Sequence, residues 1–460
     1  MLLFLRKFLF YVLAALYLFI VPYTILYALG YMFNPGEAAL VKTGLLSIET
    51  FPRGATVFVQ GKKFSEKTPT AVRDLLPGSY RIRLYRKGLE PWEKEVGIES
   101  EKATRLEPVL LLPKRFEDEV ISARSYRGMV PAILDAKIYA WESDNVQSLR
   151  RIDLFFKKEQ AVGRAISRQA ALKIFDVHYE PGSPFALLAV REDGEKGLVI
   201  LEPGREKKIA KGLGTLLTVE KPDFEWDPKN PDSLYFLEKG TLSRADIRRG
   251  ALYPGIAAEV LGFGARHNRL VFLKKDFSLV ETNLKGENAK PLAEDTQLLS
   301  GILTPFGKRR YDIEIMEPDL LLFLSEKGAL LANQSPYLLA DKDVQEVVRA
   351  GWPEEDKILF WTRQEISIIN INREKTLTRN LLYRGGRNIR QVFWAYEDSH
   401  VLFLDGDVVY LLEAEGPPPY EAREIGHVAA VSSVIYAEQT HSLYFLDPEN
   451  RNLVRRKLPD

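Results

Sequence analysis

Five histidines and one Asp-Gly-Asp turn are where chemistry would first be sought in these 460 residues. His178, His267, His400, His427 and His441 are scattered along the chain, and no two have the spacing of metal ligands. His400 and His441 stand just before apolar strands, which points to turn or edge positions rather than ligation. Asp405-Gly406-Asp407 offers two carboxylates where Ca²⁺ takes about six to eight oxygens, so a hairpin turn is the simpler reading. Cysteine is absent, which excludes thiol catalysis and fits an exported chain without arguing strongly for one. There is no Gly-x-Ser-x-Gly elbow and no phosphate loop, and Lys211-Gly212-Leu213-Gly214 lacks the third glycine of a dinucleotide fingerprint. Asn333-Gln334-Ser335 is a glycosylation sequon that the following Pro336 disfavours. Residues 116–460 hold 53 Asp and Glu, yet no two can be named as the paired carboxylates of a glycosidase. The pattern designates no catalytic residue, no cofactor and no metal ligand, and the chain reads as a non-enzyme.

The elements that would carry any site begin with an apolar run. No charge interrupts Phe8 through Gly36, and the strongly apolar part ends at Phe33. As a helix, residues 8–33 would reach about 39 Å, enough to cross a hydrocarbon core of about 30 Å with some tilt. Its fourteen Leu, Ile, Val and Phe side chains favour insertion by about 4 to 8 kcal/mol in total, which outweighs Pro22 and several tyrosines. Arg6 and Lys7 precede the run, so the positive-inside rule places residues 1–7 in the cytoplasm and the bulk of the chain outside. A cleaved signal peptide ending near Ala28-Leu29-Gly30 is the competing reading, but its apolar core would be much shorter. Residues 34–43 are expected to be a linker.

Charge divides the remainder. Residues 42–115 carry 15 Lys and Arg against 9 Asp and Glu, a net +6, and residues 116–460 carry a net −6. The basic part adjoins the membrane segment and would attract anionic headgroups or an anionic wall polymer, although an ordinary solvated β-surface explains the same charge. No basic run is long enough to suggest nucleic acid.

Residues 44–112 alternate with period 2. Tyr80, Ile82 and Leu84 take one face against Arg81, Arg83 and Tyr85, and Ala55, Val57 and Val59 alternate in the same way. Trp92, Val96 and Ile98 oppose Glu93, Glu95 and Glu99, and Pro-Gly and Lys-Gly turns separate the strands. Five to six short strands in this length make a β-sandwich. The punctuation resembles that of the PEGA domain: Pro52-Arg53-Gly54-Ala55, Gly61, Thr68-Pro69, Pro77-Gly78, Tyr80, Gly88 and Trp92 fall in order. Arg53 stands where the eponymous motif has Glu. The resemblance implies a non-catalytic surface module with no active-site residues, its glycines serving turns.

From residue 115 to 460 one apolar tetrad recurs: Ile138–Trp141, Leu187–Val190, Leu234–Leu237, Leu270–Leu273, Leu321–Leu324, Ile358–Trp361, Val401–Leu404 and Leu443–Leu446. Successive copies lie 36 to 51 residues apart, each followed by a polar turn and a second alternating strand. Hairpin-rich units of about 40–50 residues are the size of propeller blades. Eight copies predict eight blades, or seven if the first copy is incomplete. An outer strand from Glu119 to Ser122 is expected to pair with Asn452 to Leu458 and join the ends. Trp226, Trp352, Trp361 and Trp394 are expected in the core between blades. The repeats resemble the WD40-like β-propellers of bacterial envelope proteins, with Trp226-Asp227-Pro228 and the Leu-Tyr-Phe-Leu strands carrying the likeness.

The expected fold is therefore all-β behind a single transmembrane helix: a PEGA-type sandwich, then a propeller. The expected function is that of a non-catalytic, membrane-anchored surface scaffold. Its partners would be the lipid bilayer at the helix and a protein or envelope polymer on a propeller face, with no nucleic acid. An extracytoplasmic hydrolase or lyase acting on polysaccharide or peptide is the first alternative. A receptor subunit signalling through a partner is the second, because seven cytoplasmic residues hold no output domain.

Overall fold

The computed structural model describes residues 2–36, 38–132, 136–167, 172–178, 186–192, 195–208, 224–247, 249–292, 303, 311–317, 320–325, 328–332, 337–340, 346–349, 357–371, 377–414, 420–429 and 433–460. Lys211–Gly214, Asn333–Ser335 and Trp352 lie outside them. The chain divides into two compact units, the first mostly residues 1–117 and the second residues 118–414 with 420–456.

In the first unit the apolar run folds as one helix, Leu2–Ala28, whose Phe8–Ala28 part contains no buried residue. Those 21 residues span about 31 Å, close to the thickness of a hydrocarbon core. The helix stops five residues earlier than the apolar composition suggests. Gly30 takes φ +81°, and its N–H and that of Leu29 close on Tyr27 and Ile25 carbonyls at 3.0 Å, a glycine-type C-terminal stop. Tyr31–Asn34 then pairs antiparallel with Ala39–Lys42, so the expected linker is a hairpin and Tyr31 to Phe33 belong to a strand.

The small β-domain has seven strands in two sheets. Gly44–Phe51 lies between Thr70–Leu75, antiparallel to it, and Ala103–Leu110, parallel to it. The second sheet runs in the order Lys62–Lys67, Thr56–Val59, Gly78–Tyr85, Trp92–Ile98. Val57, Ile82, Leu84 and Trp92 fill the core as the alternation predicts, joined by Leu46 and Ile48, while Arg81 and Arg83 face solvent.

The second unit is a series of four-stranded antiparallel meanders. They run from Gly128–Ala132 to Lys158–Ala161, Lys173–His178 to Lys207–Lys208, Phe224–Asp227 to Ala251–Ala257, and Val260–Arg266 to Lys290–Pro291. The series continues from Tyr311–Glu317 to Tyr337–Ala340, Glu346–Arg349 to Leu377–Arg384, and Ile389–Ala395 to Ala422–His427. In the last meander Ile435–Ala437, Ser442–Leu446 and Leu453–Lys457 are completed by Asp118–Ser122, which pairs antiparallel with Leu453–Lys457. This is the pairing of distant segments expected from the sequence. Every apolar tetrad falls on the second strand of its meander, where a strand covered on both faces reads as an unbroken apolar run. The fourth and fifth meanders share one sheet because Val260–Arg266 and Tyr311–Glu317 pair in parallel over two residues. A Cβ on Gly262 or Gly264 would lie 2.0 or 1.8 Å from a carbonyl oxygen of Tyr311 or Ile313, so only glycine permits that approach.

Candidate functional site

A turn in the first meander exposes two adjacent phenylalanines. Phe155 and Phe156 connect Leu149–Asp153 to Lys158–Ala161 and stand 67% and 74% exposed. They are held there rather than left loose. Asp153 Oδ1 accepts the Phe155 and Phe156 N–H groups at 3.1 and 2.9 Å, and the Leu154 N–H donates to the Ala136 carbonyl at 3.0 Å. An Asp that ties down the next backbone donors makes a local turn without help from a sheet. Lys157 follows at φ +50° and its ammonium meets the Glu119 carboxylate. That hydrogen bond outweighs partial desolvation and holds Glu119 below the usual carboxylate range, with the Arg455 charge adding to it. Val120, the next residue, is also 52% exposed. Burying a phenylalanine contributes about 1.5–3 kcal/mol, so this pair forgoes several kcal/mol unless something covers it. The pinned turn presents two aromatic rings to solvent. Sequence reasoning passed over it because two Phe after Asp-Leu resemble the end of a strand.

The residues first examined for chemistry are occupied otherwise. Asp405 accepts the N–H groups of Arg387 and Asn388 at 2.6 to 3.0 Å, and Gly406 takes φ +64°, so the Asp-Gly-Asp segment is a clamped hairpin turn. Exposed His427 stands 3.6 Å from Asp407 and 3.4 Å from Glu424. His400 is 3% exposed, with Nδ1 2.8 Å from the Ser399 hydroxyl, and burial first, then the Arg423 charge, pushes its pKa down to about 3. Tyr396 stacks on His441 at 4.6 Å, and the Tyr436 hydroxyl lies 3.1 Å from His441 Nδ1. Burial raises the Tyr436 phenol, so it stays protonated and joins two consecutive meanders rather than activating a nucleophile. His267 occupies a turn at φ +55°, and the His178 backbone ends the Lys173–His178 strand. Among the described residues no three His, Asp or Glu are grouped to hold a metal. Trp226 and Trp361 are buried and Trp394 packs against the same core as Trp361.

Tyrosine hydroxyls between meanders form a second feature that the sequence pattern held unread. Tyr139 and Tyr235 both occupy the second position of their tetrads and are fully buried. Tyr139 donates to Glu206 at 2.8 Å in the next meander, and Tyr235 donates to the Leu284 carbonyl at 2.6 Å in its next meander. Burial would raise the Glu206 carboxyl, but N–H donors at Glu206 and Gly204, the Tyr139 hydroxyl and the Arg151 guanidinium 2.6 Å away hold it low.

The motif residues of the small domain form turns and core. Thr68 is buried, and its hydroxyl accepts the Ala55 N–H at 2.9 Å and shares a 2.6 Å hydrogen bond with Thr50. Its carbonyl accepts the Gly54 N–H at 2.8 Å, so Pro52–Ala55 and Thr68-Pro69 are one locked unit. Gly54, at φ +89°, takes a conformation that other residues resist. Gly61 and Gly88 lie in turns, and Tyr80 donates to the Leu76 carbonyl at 3.0 Å across Pro77-Gly78. Trp92 is in the core. Arg6 is exposed on the helix that also contains Lys7.

None of the curated proteins matches this chain. Among solved structures it is similar to the β-propeller domain of Cps50 (Swd1) from Myceliophteria thermophila, at 11% identity and a TM-score of 0.39, covering 62% of this chain and 96% of that one. It is also similar to YCF48 from Cyanidioschyzon merolae, at 14% identity and TM-score 0.38, over 62% and 96% of the two chains. A third similar structure is an oligogalacturonate lyase from Vibrio parahaemolyticus, at 11% identity and TM-score 0.38, over 61% and 88%. Likenesses this distant do not bear on function. Residues 43–111 match the family described as the PEGA domain, so that part of the chain is a PEGA domain.

Proposed function

We propose that the chain is a non-catalytic, membrane-anchored binding protein. Leu2–Ala28 serves as an uncleaved anchor with Arg6 and Lys7 on the cytoplasmic side, and the PEGA domain is an extracytoplasmic spacer. The eight meanders form an eight-bladed propeller, and Phe155 and Phe156 dock a protein partner. The exposed phenylalanine pair on a pinned turn is the observation that carries this reading, because apolar surface held out to solvent suits a partner's surface. The join of Asp118–Ser122 to Leu453–Lys457 supports the propeller, since a ring of sheets is closed when distant segments share a blade. The unburied Phe8–Ala28 surface supports the anchor.

Two measurements test this. In intact cells the protein should fractionate with membranes, and protease added outside should digest everything beyond the helix; protected propeller sequence would overturn the orientation. Replacing Phe155 and Phe156 together by serine should leave the unfolding free energy within about 0.5 kcal/mol of wild type, as for exposed positions. The same change should weaken capture of the partner at least tenfold in a crosslinked pull-down from membranes. Unchanged capture would refute the docking role.

A further inference from the structure

Four cations of the PEGA domain meet at one end of one sheet. Along most of that face the cations are answered: Arg81 and Arg83 lie 3.7 to 3.9 Å from Glu93 and Glu95 on the next strand. At the other end the register places Thr56 between Lys67 and Tyr85, forming a row across three strands. This row is one side of a groove whose remaining walls are Arg53, Arg86 and Lys87, with Gly54 at its edge. No carboxylate lines it. Arg86 donates to the Arg53 carbonyl, which fixes the guanidinium at the rim, and Arg53 is tied to Glu49 at 2.8 Å. Among the described residues Lys67 and Lys87 have no acidic partner. The Tyr85 ring is 42% exposed, and nothing lies within 4 Å of where a Cβ on Gly54 would stand, so a flat ligand can reach the backbone there.

We infer that this groove binds an anionic polysaccharide, a sugar chain carrying carboxylates. Lys67, Arg86 and Lys87, beside an Arg53 already paired with Glu49, supply attraction that adds along a repeating charge. The exposed tyrosine offers a face for a sugar ring, which a simple counter-ion would not use. Lipid headgroups fit less well. The helix leads into the domain near Gly44, where Thr43 donates to the Gly30 carbonyl at 2.8 Å, whereas Arg53 follows the far end of Gly44–Phe51. Seven residue steps of strand separate these ends by about 23 Å. That is more than two Debye lengths at physiological salt, about 8 Å each, so headgroups confined to the helix end would act only weakly at the groove. The inference is independent of the Phe155–Phe156 docking reading and of which side of the membrane the domain occupies.

The test uses the full chain in nanodiscs of zwitterionic lipid, with alginate as the probe and dextran of similar length as the neutral control. Alginate should bind with an affinity that falls steeply as salt rises, and dextran should not bind. Lys67→Glu with Lys87→Glu should weaken alginate binding at least tenfold, and Tyr85→Ser should weaken it about threefold or more. Lys62→Glu, at the opposite end of the Lys62–Lys67 strand, should change it less than twofold. Equal losses in Lys62→Glu and the groove variants would overturn the site in favour of diffuse charge. Absence of alginate binding would overturn it outright, as would tighter binding to single-stranded DNA or to anionic-lipid vesicles that the groove reversals abolish.

Discussion

Replacing Arg456 by alanine is expected to destabilise the second unit by about 3 kcal/mol, read as a shift in the urea unfolding midpoint. Arg456 donates to both Asp118 oxygens at 2.6 and 2.5 Å, and its third nitrogen donates to the Ile425 carbonyl at 2.5 Å. One side chain thus ties the Asp118–Ser122 strand, its own strand and the preceding meander together. It also lies over the Phe445 ring at 5.0 Å. Hydrogen bonds to charged groups contribute about 1.5–3 kcal/mol each, and the partial exposure of Asp118 discounts the sum. Lysine should recover less than half, because an ammonium cannot make the paired contact of a guanidinium. Gly426 supplies a sharper check. A Cβ there would lie 1.9 Å from the guanidinium of Arg456, so Gly426→Ala should expel it. In a double-mutant cycle the two losses should overlap by at least about 1 kcal/mol. Strict additivity would show that the guanidinium does not occupy this position.

Acid is expected to weaken the same unit well above the carboxylate range, and His400 is the reason. Its folded pKa, about 3, lies below the ordinary 6.5. Over that interval the unfolded chain binds a proton that the folded chain refuses, so stability is fully present above pH 6.5 and falls as pH drops. Between pH 6.5 and 5 the loss should be roughly 1–2 kcal/mol, since the unfolded histidine is half protonated at pH 6.5 and the full slope of 1.36 kcal/mol per pH unit is reached only below it. Chemical denaturation at the two pH values measures it. His400→Leu should flatten the profile over this interval, at some cost in absolute stability from the Ser399 hydroxyl left behind. A variant that keeps the full slope would move its origin to another group. Glu119, Glu206 and Glu281, all held low, contribute only at lower pH.

How far these features were legible follows from the range of the interactions that make them. The eight tetrads could be located because a strand buried on both faces needs no partner to announce itself; composition alone marks it. The PEGA turns were legible because glycine and proline act within a few residues of themselves. The end of the helix was misplaced because Tyr31 to Phe33 are as apolar as the run before them, and only Gly30 signals the stop. Trp226 and Trp361 could be assigned to core by size. The Asp118–Arg456 contact joins residues 338 positions apart, so pattern could suggest the strands but not the side chains that lock them. The basic groove was visible only as net charge, since it takes the register of three strands to set Lys67 and Tyr85 on either side of Thr56.

The shared last sheet also sets a timetable for biogenesis. Glu119 meets Arg455 across 336 residues, so the early strand leaves the ribosome long before its partner exists. At about 5–20 residues per second the wait is roughly 17–67 seconds. During it, a lone strand bearing the exposed Val120 is a template for wrong pairing. Glu119 can meet Lys157 within the first meander, only 38 residues later, whereas Asp118 keeps its charge unanswered by Arg456 until the last meander is made.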